Sequence, residues 1–186
     1  MPFAIVTPAT TYPVTLTEAK AQCRVDGTDE DTFINGLIST AADYVGQYLG
    51  RSIMAQTLRL DLDDFGDEML LPFGPVSLVT SITYYDTAGA VQTLSATVYQ
   101  TDIVSDPPRI LRADGQTWPD VYARANAVSI TSVTGYSAVP AAVKHACLLL
   151  IGDWYRGREN TSLGTSQPAE MPHAVTALLC NYRAYA

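Results

Sequence analysis

LRLDLD, residues 58–63, decides the fold class. Leu58, Leu60 and Leu62 alternate with Arg59, Asp61 and Asp63, the period of a strand with one apolar and one wet face. The residues upstream of it do not share that period. Upstream, Ile34, Leu37, Ile38, Ala41, Val45, Tyr48 and Leu49 recur every three or four positions, an apolar stripe on a helix. Downstream the short period persists. Strand-like runs are expected at 69–71, 76–85, 90–94, 97–104, 109–111 and 127–133, separated by Phe73-Gly74-Pro75, residues 86–89, Asp106-Pro107-Pro108 and Asp114-Gly115. Such spacing suggests a small antiparallel sandwich or rolled sheet.

The helical signals before residue 51 are specific. Thr15 and Glu18 have capping-box spacing and open a short helix through about Cys23. Asp26-Gly27 reads as a turn, and Thr28 as the cap of the longer helix. Asp29, Glu30 and Asp31 then fall in its positive first turn, and Gly50 stops it. After residue 137 the helical period returns. Pro140 is placed at the first position of a helix carrying Val143, Ala146, Cys147, Leu150, Ile151, Trp154 and Tyr155, which ends at Gly157. Residues 158–169 are polar and read as a loop. Pro172 starts a last helix with Val175, Leu178, Leu179 and Tyr182 inward. Neither pair of helices has enough apolar partners alone, so the two are expected to pack together. The expected class is α+β: a bundle of N-terminal (1–51) and C-terminal (138–186) helices with an inserted β domain (52–137).

Composition narrows the function. The 186 residues are 47% hydrophobic and 16% charged, with a net charge of −8. That is globular composition, and the low charged fraction points weakly to a surface partly covered by copies or partners. Gripping DNA phosphates needs Lys and Arg, which are too few here, although an acidic wall would let a duplex slide past. MPFAIVTPATTYP at the start lacks the features of a secretory signal, and the run 146–151 is too short to span a bilayer. Cys23, Cys147 and Cys180 form no C-x-x-C and no zinc pattern with His145 and His173. Cys147 and Cys180 are expected to be buried thiols.

The chemistry-bearing residues are sparse. His145 is the best general-base candidate, but Asp153 lies two helical turns away and no serine sits in a nucleophile elbow. Asp61, Asp63, Asp64, Asp67 and Glu68 miss the spacing of a calcium loop and read as a solvated strand end, or as a loop facing a channel or an adjacent subunit. No glycine-rich phosphate loop exists. No catalytic residue, cofactor or metal ligand is therefore assigned. Arg156 and Arg158 oppose a helix dipole, and with Trp154 and Tyr155 they are residue types common at interface hot spots.

VTLTEAKAQCRVDGTDEDTFINGLISTAADYVGQYLGR, residues 14–51, resembles the N-terminus of phage head–tail connector (adaptor) proteins. The residues carrying the resemblance are Leu16, Glu18, Ala19, Lys20, Arg24, Val25, Asp26, Tyr48, Gly50 and Arg51. Cys23 stands where the family has leucine, and Leu49 where it has threonine. Gln56, Leu58 to Leu60, Leu71-Pro72 and Pro75-Val76 follow in the same order. VPAAVKHACLLLIGDWYRGREN (139–160) and AVTALLCNYR (174–183) are similar to the family's closing segments.

The resemblance implies a structural subunit of a phage or gene transfer agent neck. Such subunits form a ring, typically of twelve copies, under the portal protein. They extend the channel through which double-stranded DNA passes and offer a platform to the next neck component, a stopper. No membrane and no cofactor are implied, and assembly is expected in the bacterial cytoplasm. Trp154, Arg156, Arg158, Glu159, Tyr182, Arg183 and Tyr185 are the candidate portal or partner contacts, and the acidic loop is the candidate channel or inter-subunit element. Two other classes stay open. One is a carbohydrate- or protein-binding β module with an exposed platform of Tyr84, Tyr85, Tyr99 and Trp118. The other is an acid–base hydrolase using His145 and Asp153.

Overall fold

A computed structural model describes residues 3–157 and 172–184. Its elements are β1 (Phe3–Thr7), α1 (Leu16–Cys23), α2 (Asp31–Leu49), β2 (Gln56–Leu62), β3 (Glu68–Leu70), β4 (Val76–Tyr85), β5 (Val91–Thr93), β6 (Tyr99–Asp102), β7 (Arg109–Arg112), β8 (Val128–Thr134), α3 (Ala141–Arg156) and α4 (His173–Leu179), the last continued by a short 3-10 turn, Cys180–Tyr182. The fold is α+β, with four helices and two antiparallel sheets among the described residues. The chain divides into two compact units. One comprises Met1–Thr10, Met54–Ser137 and Ala184–Ala186, the other Thr11–Ile53 and Ala138–Arg183.

In the helical unit α3 packs against α1, α2 and α4. Its face of Val143, Ala146, Cys147, Leu150 and Ile151 is buried, as are Ile34, Ile38, Ala41, Val45 and Leu49 of α2. Burial in this apolar core pushes the Cys147 thiol up to about 12, so it stays protonated. The ends of the helices follow their local chemistry with small shifts. Thr15 caps α1 in a full capping box with Glu18. Helix α2 starts at Asp31 rather than after Thr28, whose carbonyl accepts the Asp31 N–H as part of a preceding turn. Gly50 ends α2 in the left-handed conformation, φ 64°. Pro140 and Pro172 take the N-cap position of α3 and α4, one residue before the first helical residue. Cys180 lies exposed in the turn after α4, not buried as its apolar neighbourhood suggested.

The β unit pairs a five-stranded sheet, order β1-β2-β8-β4-β5, with a three-stranded sheet, order β3-β7-β6. Leu60, Met69, Leu71, Val76, Ile82, Leu94, Ile110, Val128 and Ile130 form one core drawn from both sheets. Each fully buried aliphatic side chain there stabilises the fold by about 1.5–3 kcal/mol. The register explains the opening motif: Leu60 sits opposite Ile130, and Asp61 opposite Ser129. Strand β1 is the element that the sequence reading left among the helical residues. FAIVT pairs antiparallel with β2, placing Phe3 beside Leu60 and Ile5 beside Leu58.

Glu18 supplies a pH-dependent element. The Lys144 ammonium, 2.5 Å away, and the capping contacts with Thr15 hold its carboxyl down at about 2, from 4.5. A depressed carboxylate pKa contributes stability above its unfolded value, and that contribution is lost as pH falls through the folded value. Glu18→Gln is therefore expected to flatten the acid limb of the stability profile between pH 4.5 and about 2 while changing little below it. Denaturant titrations at stepped pH check this, and an acid limb unchanged by the substitution contradicts it.

Candidate docking surfaces

The resemblance-carrying residues of the first segment, 14–51, and of the closing segments are brought together inside the helical unit, whereas Gln56 to Val76 lie in the β unit. Glu18 of the first motif bonds Lys144 of the segment starting at Val139, across a separation of 126 residues. Lys20 pairs with Asp31 at 2.7 Å. The Tyr155 hydroxyl donates to the carboxylate of Glu30 at the start of α2. Arg51 Nε donates to the Tyr182 carbonyl at 2.7 Å, and the Arg183 guanidinium lies 5.4 Å from the centre of the Tyr48 ring. The motif at 48–51 and the closing Tyr-Arg are thus two halves of one clasp. These positions hold the helices to one another, which is an architectural role.

That clasp bears on the candidate contacts. Tyr182 and Arg183 are tied to the end of α2 through a backbone carbonyl and a guanidinium. The Tyr182 side chain is half-buried, and Arg183 is exposed. Trp154 meets the exposed Tyr44 edge to face at 5.8 Å. Arg156 is exposed, with Nε donating to the Gly152 carbonyl of its own helix. Arg158, Glu159 and Tyr185 lie outside the described residues.

The acidic loop is more internally engaged than a solvated strand end. Asp61 is 8% exposed and accepts from Ser129 Oγ at 2.6 Å and from Arg59 Nε. Asp63 accepts the Asn126 N–H, Asp64 the N–H of Phe65, and Glu68 pairs with Arg109 at 2.8 Å. Asp63, Asp64, Asp67 and Glu68 nevertheless remain at the surface.

A second network, unannounced by the sequence, shapes the β6–β7 loop. Asp102 accepts from Ser105 N–H and Oγ and from Arg109 Nε at 2.9 Å. These bonds hold its carboxyl well below the usual carboxylate range, the Ser105 contacts contributing most. The loop so braced presents Val104, 93% exposed. An apolar side chain on a rigid loop loses little entropy on docking.

The alternative sites are not assembled. Phe65 stacks on Trp118 at 4.8 Å and meets Tyr84 at 5.7 Å; Tyr84, Tyr99 and Trp118 all pack on the sandwich core, and Tyr85 is covered by Arg124. Tyr84, Tyr85, Tyr99 and Trp118 therefore form no exposed platform, because three pack on the core and the fourth is covered by an arginine. His145 and Asp153 are exposed on α3, about 12 Å apart along its axis at 1.5 Å per residue. Among the described residues no group of His, Cys, Asp and Glu could hold a metal ion, and no helix is long and apolar enough to cross a membrane.

Comparison with known proteins gives the class. A chain in the neck of an empty gene transfer agent particle, computed with C6 symmetry, superposes with a TM-score of 0.81 at 24% identity, covering 100% of this chain and 97% of the other. A chain in the virion of a native gene transfer agent particle gives 0.79 at 23% identity, and one in a native neck computed with C12 symmetry gives 0.74 at 25%, each with the same coverage. No curated protein matches. The fold is that of a structural protein of a particle neck. The family model described as phage gp6-like head-tail connector protein matches residues 13–104, and this segment belongs to that family.

Proposed function

We propose that the chain is a non-catalytic ring subunit that docks beneath a portal, lengthens the DNA channel and seats the next neck component. The observation carrying this reading is the full-length likeness to a chain of a neck computed with C12 symmetry. The head–tail connector match over residues 13–104 supports it. Twelve copies related by a closed rotation need two different complementary faces on each subunit. A net charge of −8 suits a conduit that repels phosphates and lets DNA slide. The acids Asp61, Asp63, Asp64, Asp67 and Glu68 are the proposed channel or inter-subunit element, of which the last four are at the surface and Asp61 is bonded to Ser129 and Arg59. A map of the assembled neck with a mainly Lys/Arg bore would contradict the channel role.

Trp154, Arg156, Arg158, Glu159, Tyr182, Arg183 and Tyr185 are the proposed portal side. Removal of residues 183–186 spares the Arg51 bond to the Tyr182 carbonyl. The truncated subunit is therefore expected to fold and to fail in portal attachment. Normal attachment would discard that assignment. The larger test is imaging of particles made without this protein: DNA-filled heads lacking tails are expected, and tailed particles would overturn the function.

A further inference from the structure

The two sheets of the β unit treat their edges differently. A free strand edge invites pairing with another chain, and proteins usually blunt it with charge, proline or a bulge. Both edge strands of the three-stranded sheet are guarded. β3 carries Glu68 and β6 carries Asp102, each paired with Arg109 of the central strand β7. The five-stranded sheet has edges β1, FAIVT, and β5, VQT, with no charged residue and no proline in either. At the β1 edge the pairing with β2 has a register shift between Ile5 and Thr7, which leaves residues 3–5 in regular pairing.

These edges are also apolar where they meet solvent. Ile5 is 55% exposed, and Phe3 and Val6 are comparably open. Phe3 and Ile5 lie on the face that Leu60 and Leu58 present to the core, so β1 carries that apolar surface outward. At the far edge Val91 is 61% exposed. Strand β5 is nonetheless fixed in place, because Asp86 accepts from the Ala88 and Ala90 N–H groups and from Gln92 Nε2.

We propose that β1 of one copy pairs with β5 of the next, so that the five-stranded sheets of neighbouring subunits join edge to edge around the ring. The inference rests on the ring reading above. A closed ring of more than two copies requires a heterologous contact, and this sheet offers two unlike open edges on opposite sides. Pairing over a three-residue strand adds few hydrogen bonds, each contributing about 0.5–1.5 kcal/mol net. Each contact is weak alone and gains from closure, when every copy is held on both sides.

The test uses full-length chain in assembled particles. Ala4→Cys and Gln92→Cys place thiols in the regularly paired part of β1 and at the centre of β5. With a short bis-maleimide, the doubly substituted chain is expected to give a ladder of multimers. Copies carrying one substitution each, mixed, are expected to stop at dimers, above the background from native cysteines. In parallel, Val6→Lys with Val91→Lys is expected to leave the melting temperature of the isolated chain unchanged while the chain is lost from particles. Tailed particles that contain the doubly substituted chain but show only the background cross-linking would overturn the edge pairing and leave the neck function standing. Tailed particles made without the chain would overturn both.

Discussion

Gly135→Ala is expected to lower the stability of the β unit by at least about 3 kcal/mol. Gly135 follows β8 with φ 114°, a conformation that L side chains rarely adopt. A Cβ there would stand 2.2 Å from the Met54 carbonyl oxygen and 2.8 Å from the Ala55 nitrogen. Both obstacles are backbone, so no rotamer change relieves them. The Gly135 N–H also donates to the Pro75 carbonyl, so the backbone cannot shift freely away from the clash. The cost therefore adds backbone strain to displacement of the segment entering β2. Urea unfolding followed by a β-sheet signal measures it. A loss under about 1 kcal/mol would show that the close approach relaxes without cost.

The second large effect is expected in the helical unit, where Ile151→Ala should cost about 2–5 kcal/mol through lost burial and the cavity left behind. Ile151 is fully buried on α3, the helix that packs on α1, α2 and α4 alike. Truncation there loosens the helix that packs on both N-terminal helices and on α4. The contrast is Ile5→Ala on the open edge β1, where a surface change is expected to stay within about 0.5 kcal/mol. The same residue type removed in two places thus separates core from docking surface. Equal losses at both positions would mean that β1 is buried in the isolated chain.

Much of the fold could be read because local signals and tertiary demand agree. The Thr15–Glu18 capping box, the Gly50 stop and the alternation around Leu60 each appear in the structure where the residue pattern put them. β1 was missed although FAIVT is a short apolar run of strand-forming residues ended by Pro8. Its partner, β2, lies more than 50 positions away, and no local period reveals an edge strand joining a sheet across two helices. The start of α2 was misplaced because Thr28 looks like a cap, whereas the capping-type residues there form a turn before Asp31.

The candidate docking residues were legible only as types. Glu18, Lys144, Arg51 and Tyr182 stood out in the motifs, but nothing local distinguishes a residue that greets a partner from one that clasps its own helix. The aromatic residues Tyr84, Tyr99 and Trp118 could be a platform or a core until the sandwich packs them inward. Val104 and the braced Asp102–Ser105–Arg109 loop carried no sequence signal beyond polarity and proline.

By itself the sequence determined the class of the segments after residue 10, the strand runs after residue 55, the capping box of α1, the stop of α2 at Gly50 and the absence of a recognisable catalytic motif. These follow from periodicity and capping, which act over one or two turns of chain. Only the tertiary structure decided which strands lie at the edges, which acids are consumed in ion pairs, and which apolar residues stay open. The edges and the open faces depend on contacts between residues tens of positions apart, and the ion pairs run from near neighbours such as Arg59 and Asp61 to Glu18 and Lys144, 126 positions apart, so periodicity and capping do not encode them.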